Sequence, residues 1–324
     1  MILHRTAICL IAIDVSMAAI GGAAALDYPT RPVRWVVGFA PGGANDILAR
    51  LIGQRLSERL GQPFVIENKP GAGGNIGAES VISAEPDGYT VLLVNPSNFI
   101  NTSLYANLKF NFVRDVAPVA SFIRVPNVMT LGRGVEAKTV ADFIAYARAN
   151  PGEVNMASAG TGTSTHLSGE MFMAMAGIKM QHLPYRGAGP AVTDMLAGHV
   201  QVIFDSMPSI IPHIRSGALR ALAVTSATRS SQLPDTPTIG ETVRGYEASA
   251  LFGMAAPRAT PKDIIEKLNK EINAVLTEPE TSKRLVELGG DILIGTPEAF
   301  GAMIVAETEK WKNVIEGAAI EKVL

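Results

Sequence analysis

Apolar residues in this chain come in short runs divided by amphipathic stretches, a rhythm that predicts strands alternating with helices. Pro32–Phe39 reads as a buried strand, and Ile47, Leu48, Leu51, Ile52, Leu56 and Leu60 then recur at helical spacing until Gly61. Phe64–Glu67 reads as a second strand, Gly74–Ile82 as a helix, and Tyr89–Val94 as a third strand after the turn Pro86-Asp87-Gly88. Such alternation implies a parallel sheet with right-handed crossovers. The rhythm restarts with a helix over Val140–Ala147 and a strand over Val154–Ala157. It continues with a helix after Thr165, a strand near Met180–Leu183, a helix over Pro190–Ala197, and strands at Val200–Phe204 and Leu219–Val224. A second sheet is therefore expected.

Toward the C-terminus, Thr260-Pro261-Lys262-Asp263 and Thr296-Pro297-Glu298 each combine a threonine cap, a first-turn proline and an acid favourable to the helix dipole. Two long surface helices should follow. One carries the apolar stripe Ile264, Leu268, Ile272 and Leu276, the other Phe300, Ile304 and Trp311. The chain has no exact repeat, low-complexity tract or heptad array.

A length of 324 residues exceeds one ordinary domain and suits two of about 100–150 residues each. Apolar residues make up 47% and the net charge is −2, enough to fill two cores and too little to attract nucleic acid. The same balance excludes a mainly disordered chain. The first 25 residues have the order of a secretory signal: a basic start at Met1–Arg5, an apolar run at Thr6–Ile20 and a small-residue end at Gly21–Ala25. Asp14 interrupts that run, yet cleavage near Ala25 and a periplasmic product are expected. Cys9, the sole cysteine, lies inside this segment, so no disulfide forms in the mature chain. Thr6-Ala7-Ile8 offers no small residue directly before Cys9, which favours a soluble product over a lipid-anchored one. No later stretch is long and apolar enough to cross a bilayer.

Two glycine-rich turns carry the chemistry: Phe39-Ala40-Pro41-Gly42-Gly43-Ala44-Asn45-Asp46 and Ala157-Ser158-Ala159-Gly160-Thr161-Gly162-Thr163-Ser164-Thr165-His166. Each stands between a strand and a helix. Each should present unpaired backbone N–H groups where the helix dipole adds partial positive charge, so a carboxylate is bound without an arginine. The first lies at the carboxyl end of a strand, where open α/β sheets place ligands. Asp205 ends the apolar strand Val200–Phe204 and either accepts a ligand donor or caps the next segment.

The chain resembles the substrate-binding receptors of tripartite tricarboxylate transporters, the Bug-type periplasmic receptors, over nearly the whole mature sequence. The resemblance rests on Tyr28–Pro32, Phe39–Gly43 with Asp46, Asn68–Ala78, Pro86–Tyr89, Ala159–His166, Leu183–Gly187 and Leu233–Thr238. It implies an α/β, two-lobe type II periplasmic binding fold in which the chain crosses twice between lobes, near Arg124–Asn127 and Ala250–Gly253. One lobe would comprise residues 26–125 with 252–324, the other 126–251. It further implies that one ligand carboxylate sits against Phe39–Asp46, partly through ordered water, with Asp46 helping to order that water. The far end of the ligand meets Ala159–His166, and Tyr185 lines the cleft. Relatives often have a Gly/Thr/His-rich segment after the third strand and a Leu-Pro-Tyr-Asp element soon after. This chain has Val94-Asn95-Pro96-Ser97-Asn98-Phe99 and Leu108–Phe112 there, and that loop, with Asn95 and Ser97, is expected to face the ligand.

Each site residue also has a plainer reading. The glycines serve the turns themselves, Asp46 and the Thr163–Thr165 hydroxyls cap helices, and His166 makes a structural hydrogen bond. Gly71–Gly77 lacks the spacing of a dinucleotide site, and no Gly-Lys-Ser/Thr follows. A hydrolase using Ser164 and His166 is an alternative without a Gly-x-Ser-x-Gly elbow or a nameable acid partner. His166 and Glu170 stand four apart with no third ligand at a diagnostic spacing, so no metal is expected, nor any cofactor. The resulting expectation is a monomeric, non-enzymatic receptor that closes over a small di- or tricarboxylate and passes it to membrane transporter subunits; a ligand sensor for a signalling partner is the other alternative.

Overall fold

The computed structural model of the chain describes residues 27–324; the expected signal segment and Cys9 lie outside the described residues. The first lobe opens as the apolar pattern predicts. β1 (Val33–Val37), α1 (Ala44–Leu60), β2 (Phe64–Asn68), α2 (Asn75–Ile82) and β3 (Thr90–Val94) follow in order, with β1 parallel to both β2 and β3. Trp35 and Phe122 pack edge to face at 5.8 Å beneath α1, whose Leu48, Ile52 and Leu56 are fully buried.

The segment after β3 is a helix where a ligand-facing loop was expected. α3 (Pro96–Leu104) begins with a reciprocal cap: Asn95 Oδ1 accepts from the Ser97 amide at 3.0 Å, and the Asn95 amide donates to Asn98 Oδ1 at 2.9 Å. Proline at the first helical position removes a donor that would otherwise go unpaired. The short α4 (Phe112–Asp115) then leads into β4 (Val116–Leu131).

β4 joins the two lobes. From Val116 to Pro126 it runs antiparallel to β9 (Ser249–Pro257), and from Asn127 to Leu131 it lies between β7 (Val202–Ser206) and β8 (Arg220–Val224). At the change of partner Asn127 is fully buried and fully bonded. Its amide donates to Thr225 Oγ1 (2.8 Å), its Nδ2 to Ser168 Oγ (3.0 Å), and its Oδ1 accepts from Ser206 Oγ (2.9 Å).

The second lobe holds α5 (Val140–Ala149), β5 (Asn155–Ser158), α6 (Ser164–Ala176), β6 (Gln181–Pro184), α7 (Ala188–Ala197) and α8 (Met207–Arg215), with β5 parallel to β6 and β7. The described strands follow one path, β2-β1-β3-β9-β4-β7-β5-β6, with β8 and the two-residue β10 (Asp291–Ile292) also paired to β4. The chain returns to the first lobe through α9 (Lys262–Thr277), α10 (Pro279–Glu287) and α11 (Pro297–Gly317). Both predicted stripes are buried there. Thr296 caps α11 as expected, whereas α9 starts one residue later than predicted: Pro261 is its N-cap, and the Ile264 and Ile265 amides bond to the Pro261 carbonyl instead of to Thr260.

Candidate functional site

The carboxyl ends of β1, β5 and β7 meet between the lobes, and α1, α6 and α8 start immediately beyond them. At α1 the N-cap is Gly43, which has no side chain to spend on the first amides, and the first amide to bond back is that of Ile47, onto Gly43 O at 3.0 Å. The amides of Ala44 and Asn45 thus have no intrahelical partner. Gly42 reaches the turn with φ +87°, a conformation that favours glycine.

Asp46 holds this turn in place. It accepts from the Gly42 amide (3.1 Å), from Arg50 Nε (3.0 Å) and from Asn68 Nδ2 (3.1 Å), and Asn68 also donates to the Phe39 carbonyl (2.9 Å). Burial acts to raise the Asp46 pKa, but the Arg50, Gly42 and Asn68 donors outweigh it and hold the carboxyl below its ordinary value.

The second turn is braced from behind. Thr163 Oγ1 caps α6 by accepting from the His166 amide (3.2 Å), Thr165 Oγ1 takes the Ala159 amide (2.8 Å), and Ser158 Oγ takes the Gly160 amide (3.1 Å). The Gly162 amide donates to His166 Nδ1 at 3.4 Å, so the proton of a neutral His166 ring sits on Nε2, which faces Glu170 Oε1 at 3.3 Å. The His166 ring stacks on His182 at 4.0 Å. What remains open at the head of α6 is the pair of amides on Ser164 and Thr165.

Phe39, Ala44, Asn45, Asn95, Pro96, Ser97, Ser164, Thr165, Asp205 and Ser206 line a narrow space of about 20 Å³ between the two turns, with Thr163, Ala159, Ala188 and Phe252 completing it. Asp205 is buried. Its Oδ2 accepts from Ser209 Oγ at 2.5 Å, and burial, against the help of Ser209 and the Ser206 amide, pushes its pKa up to about 6. Of the residues read from sequence, Phe39, Asn95, Ser97, Thr163, Ser164 and Asp205 line this cavity. Gly160, Thr161 and Tyr185 line an adjoining outer groove with Gly71–Gly74 and Arg186, where Tyr185 Oη donates to Asp194 Oδ2 (2.6 Å). Ala40, Pro41, Gly42 and Gly43 form the turn, Asp46 pins it, and Ser158, Gly162 and His166 support the opposite one. Sequence reading passed over Asn45, Ser206 and Phe252. Asn45 sits in the first turn of α1 and carries a positional signal; Phe252 arrives from a strand far along the chain and carries none.

The lobes touch around the cavity. The Ala40 amide donates to the Arg186 carbonyl at 3.0 Å, and Tyr105 Oη approaches Thr161 O at 3.4 Å. The structure is therefore of a closed form.

Residues 48–320 match the family model described as the tripartite tricarboxylate transporter family receptor. The chain belongs to this receptor family. Protein BugT of Bordetella pertussis is 36% identical over 314 residues, covering 95% of this chain and 96% of BugT. Among solved structures, R. palustris Rpa4515 with adipate is 37% identical with a TM-score of 0.89, covering 92% of this chain and 100% of that one. MatC (Rpa3494) from Rhodopseudomonas palustris with bound malate is 30% identical with a TM-score of 0.85, covering 89% and 100%. The neighbours share the two-lobe periplasmic binding fold of this receptor.

Two other chemistries can be weighed on the receptor's geometry. Ser158 Oγ lies 2.7 Å from His182 Nε2, the spacing of a nucleophile and its base. Ser158 is fully buried, however, and burial followed by the neighbouring His166 lowers the His182 pKa to about 3, leaving it a feeble base. His182 also supplies the third neighbour that spacing alone did not reveal beside His166 and Glu170, with ligand atoms within 4.8 Å of one another. His166 Nδ1 accepts from the Gly162 amide, His182 Nε2 shares a hydrogen bond with Ser158 Oγ, and the two rings stack, so the pair braces the second turn.

Proposed function

We propose that this receptor is secreted to the periplasm, closes over a small organic acid and presents it to a membrane transporter without chemical turnover. The observation that carries the reading is the pair of helix N-termini, α1 and α6, opening into one cavity from opposite lobes. Each supplies unpaired amides and partial positive charge, and their opposition suits a ligand with two polar ends. Donors fixed before the ligand arrives replace its hydration, which is how a cavity without a basic lining side chain, among the described residues, holds an anion.

The adipate and malate named for the two structural neighbours support a carboxylate as ligand. Family membership supports the transporter as partner and the periplasm as location, and no described helix is long and apolar enough to cross a membrane. In our reading, residues 26–125 with 252–324 move against 126–251, the mature chain starts near Leu26 or Asp27, and the unit is a monomer. The change of β4's partner at Pro126–Asn127, opposite the start of β9 at Ser249, supports bending there. Ligand contacts to both lobes then favour the closed form by differential affinity.

A thermal-shift screen of the mature protein against aliphatic and aromatic carboxylates tests this. A specific acid should raise Tm in proportion to the logarithm of its concentration above Kd. A flat response across all carboxylates, or turnover of an ester or amide panel, would overturn the reading.

A further inference from the structure

Behind the second turn, His166, Glu170 and His182 are the one group of three or more histidine, cysteine, aspartate or glutamate residues, among the described residues, whose ligand atoms all lie within 4.8 Å of one another. His166 and Glu170 stand one turn apart on the same face of α6, with His166 Nε2 3.3 Å from Glu170 Oε1, and His182 reaches them from β6. Glu170 has no lysine or arginine partner among the described residues, so its carboxylate offers an unmatched negative charge to a cation. His182 Nε2 is taken by Ser158 Oγ at 2.7 Å, whereas its Nδ1 has no hydrogen-bond partner among the described residues. Two ligands of one tetrahedral zinc ion, each about 2.1 Å from it, stand about 3.4 Å apart. The His166–Glu170 pair is already at that spacing, and the widest pair of the three exceeds it by at most about 1.4 Å. Glu170 and His182 are half-buried, so side-chain rotation covers that difference without moving α6 or β6.

We propose that His166 Nε2, a Glu170 carboxylate oxygen and His182 Nδ1 bind one zinc ion, at a site outside the lining of the cavity between the lobes. Two imidazoles and a carboxylate suit zinc and other borderline divalent ions, and not magnesium, which takes oxygen ligands. Three protein ligands leave the fourth position to water. Ser158 Oγ then accepts from His182 Nε2–H, the kind of outer bond that orients a ligating imidazole. Two rearrangements accompany binding. His182 turns out of its 4.0 Å stack on His166, and the His166 ring proton moves from Nε2 to Nδ1, which ends the 3.4 Å bond from the Gly162 amide. That bond is at the long limit of hydrogen bonding and is therefore cheap to lose. The ion clamps α6 to β6 and so stabilises the second lobe.

Calorimetric titration of the chelator-treated mature receptor with zinc chloride, in a buffer without organic acids, provides the test. One zinc ion per chain should bind with a micromolar or lower Kd and raise Tm, whereas magnesium chloride should do neither. Glu170→Gln and His182→Asn should each weaken zinc binding by about a hundredfold or more while keeping the parent's far-ultraviolet circular dichroism. His199→Ala, which removes an exposed histidine outside the trio, should bind zinc as the parent does. In a ¹⁵N-labelled sample of the unaltered protein, the Gly162 amide should be among the resonances that move on zinc addition. Absence of one-to-one binding, a still Gly162 amide, or binding that survives both Glu170→Gln and His182→Asn overturns the proposal. Loss of binding in His199→Ala places the ion on an exposed histidine and overturns it equally. Each of these failures leaves the receptor reading in place, since no organic acid takes part.

Discussion

Asp46, behind the first turn, and Asp205, in the cavity, have carboxyl pKa values moved in opposite directions. Asp46 is surrounded by the donors of Gly42, Arg50 and Asn68 and stays ionised, fixing a backbone turn; Asp205 has a serine on one oxygen and nothing on the other. Because burial raises the Asp205 pKa to about 6 from a reference of 3.8, the folded state holds a proton more tightly than the unfolded chain between those values. Its contribution to stability is therefore fullest below about pH 4 and is lost as pH rises through 6. Urea unfolding of the ligand-free receptor should find Asp205→Asn more stable than the parent at pH 7, by an amount that shrinks toward pH 4. A gap independent of pH would show that the buried charge is not the cause. At this scale the sequence read partly true. An acid after a glycine turn announces Asp46, but the bare oxygen of Asp205 depends on Ser209 four residues on and on the opposite lobe, which no local pattern encodes.

Among the elements, what separates a ligand-binding helix start from an inert one is who uses the first amides. α1 begins at a glycine with no cap, α6 spends its threonine on the third amide only, and α3 closes itself with the Asn95–Asn98 pair and Pro96. This is why the Asn95–Ser97 segment contributes lining but not free amides. The βα units were legible because their apolar runs and glycine stops are local. β4 was not, since Pro118 and Pro126 interrupt it and its partners lie over a hundred residues away in β9. Closure also depends on small residues. A Cβ on Gly189, in the first turn of α7, would lie 2.5 Å from the Pro41 carbonyl across the cleft, although its backbone angle suits alanine. Gly189→Ala should therefore retain the parent's far-ultraviolet circular dichroism and ligand-free Tm while weakening ligand binding about tenfold or more. Unchanged affinity in calorimetry would mean that the lobes need not approach this closely.

For the whole molecule, the fold gathers three strand ends into the gap between two lobes and lets one long strand belong to both. Polar contacts between the lobes include Ala40 to Arg186, Tyr105 to Thr161, Arg124 to Ser249 and the Lys310–Glu247 ion pair at 2.9 Å, beside packing of α1 on α8 and of α3 on α6. In the proposed function a ligand that touches both lobes adds to these contacts and favours the closed form. In the proposed function, main-chain amides of α1 and α6 grip the ligand's acidic group. Amide chemical shifts in a ¹⁵N-labelled, deuterated sample report on it directly, using the tightest acid of the thermal-shift screen as titrant. The largest shifts should fall on Ala44, Asn45, Ser164 and Thr165, saturating together at one Kd; if those four amides stay still while the shifts gather on another surface, the account is wrong.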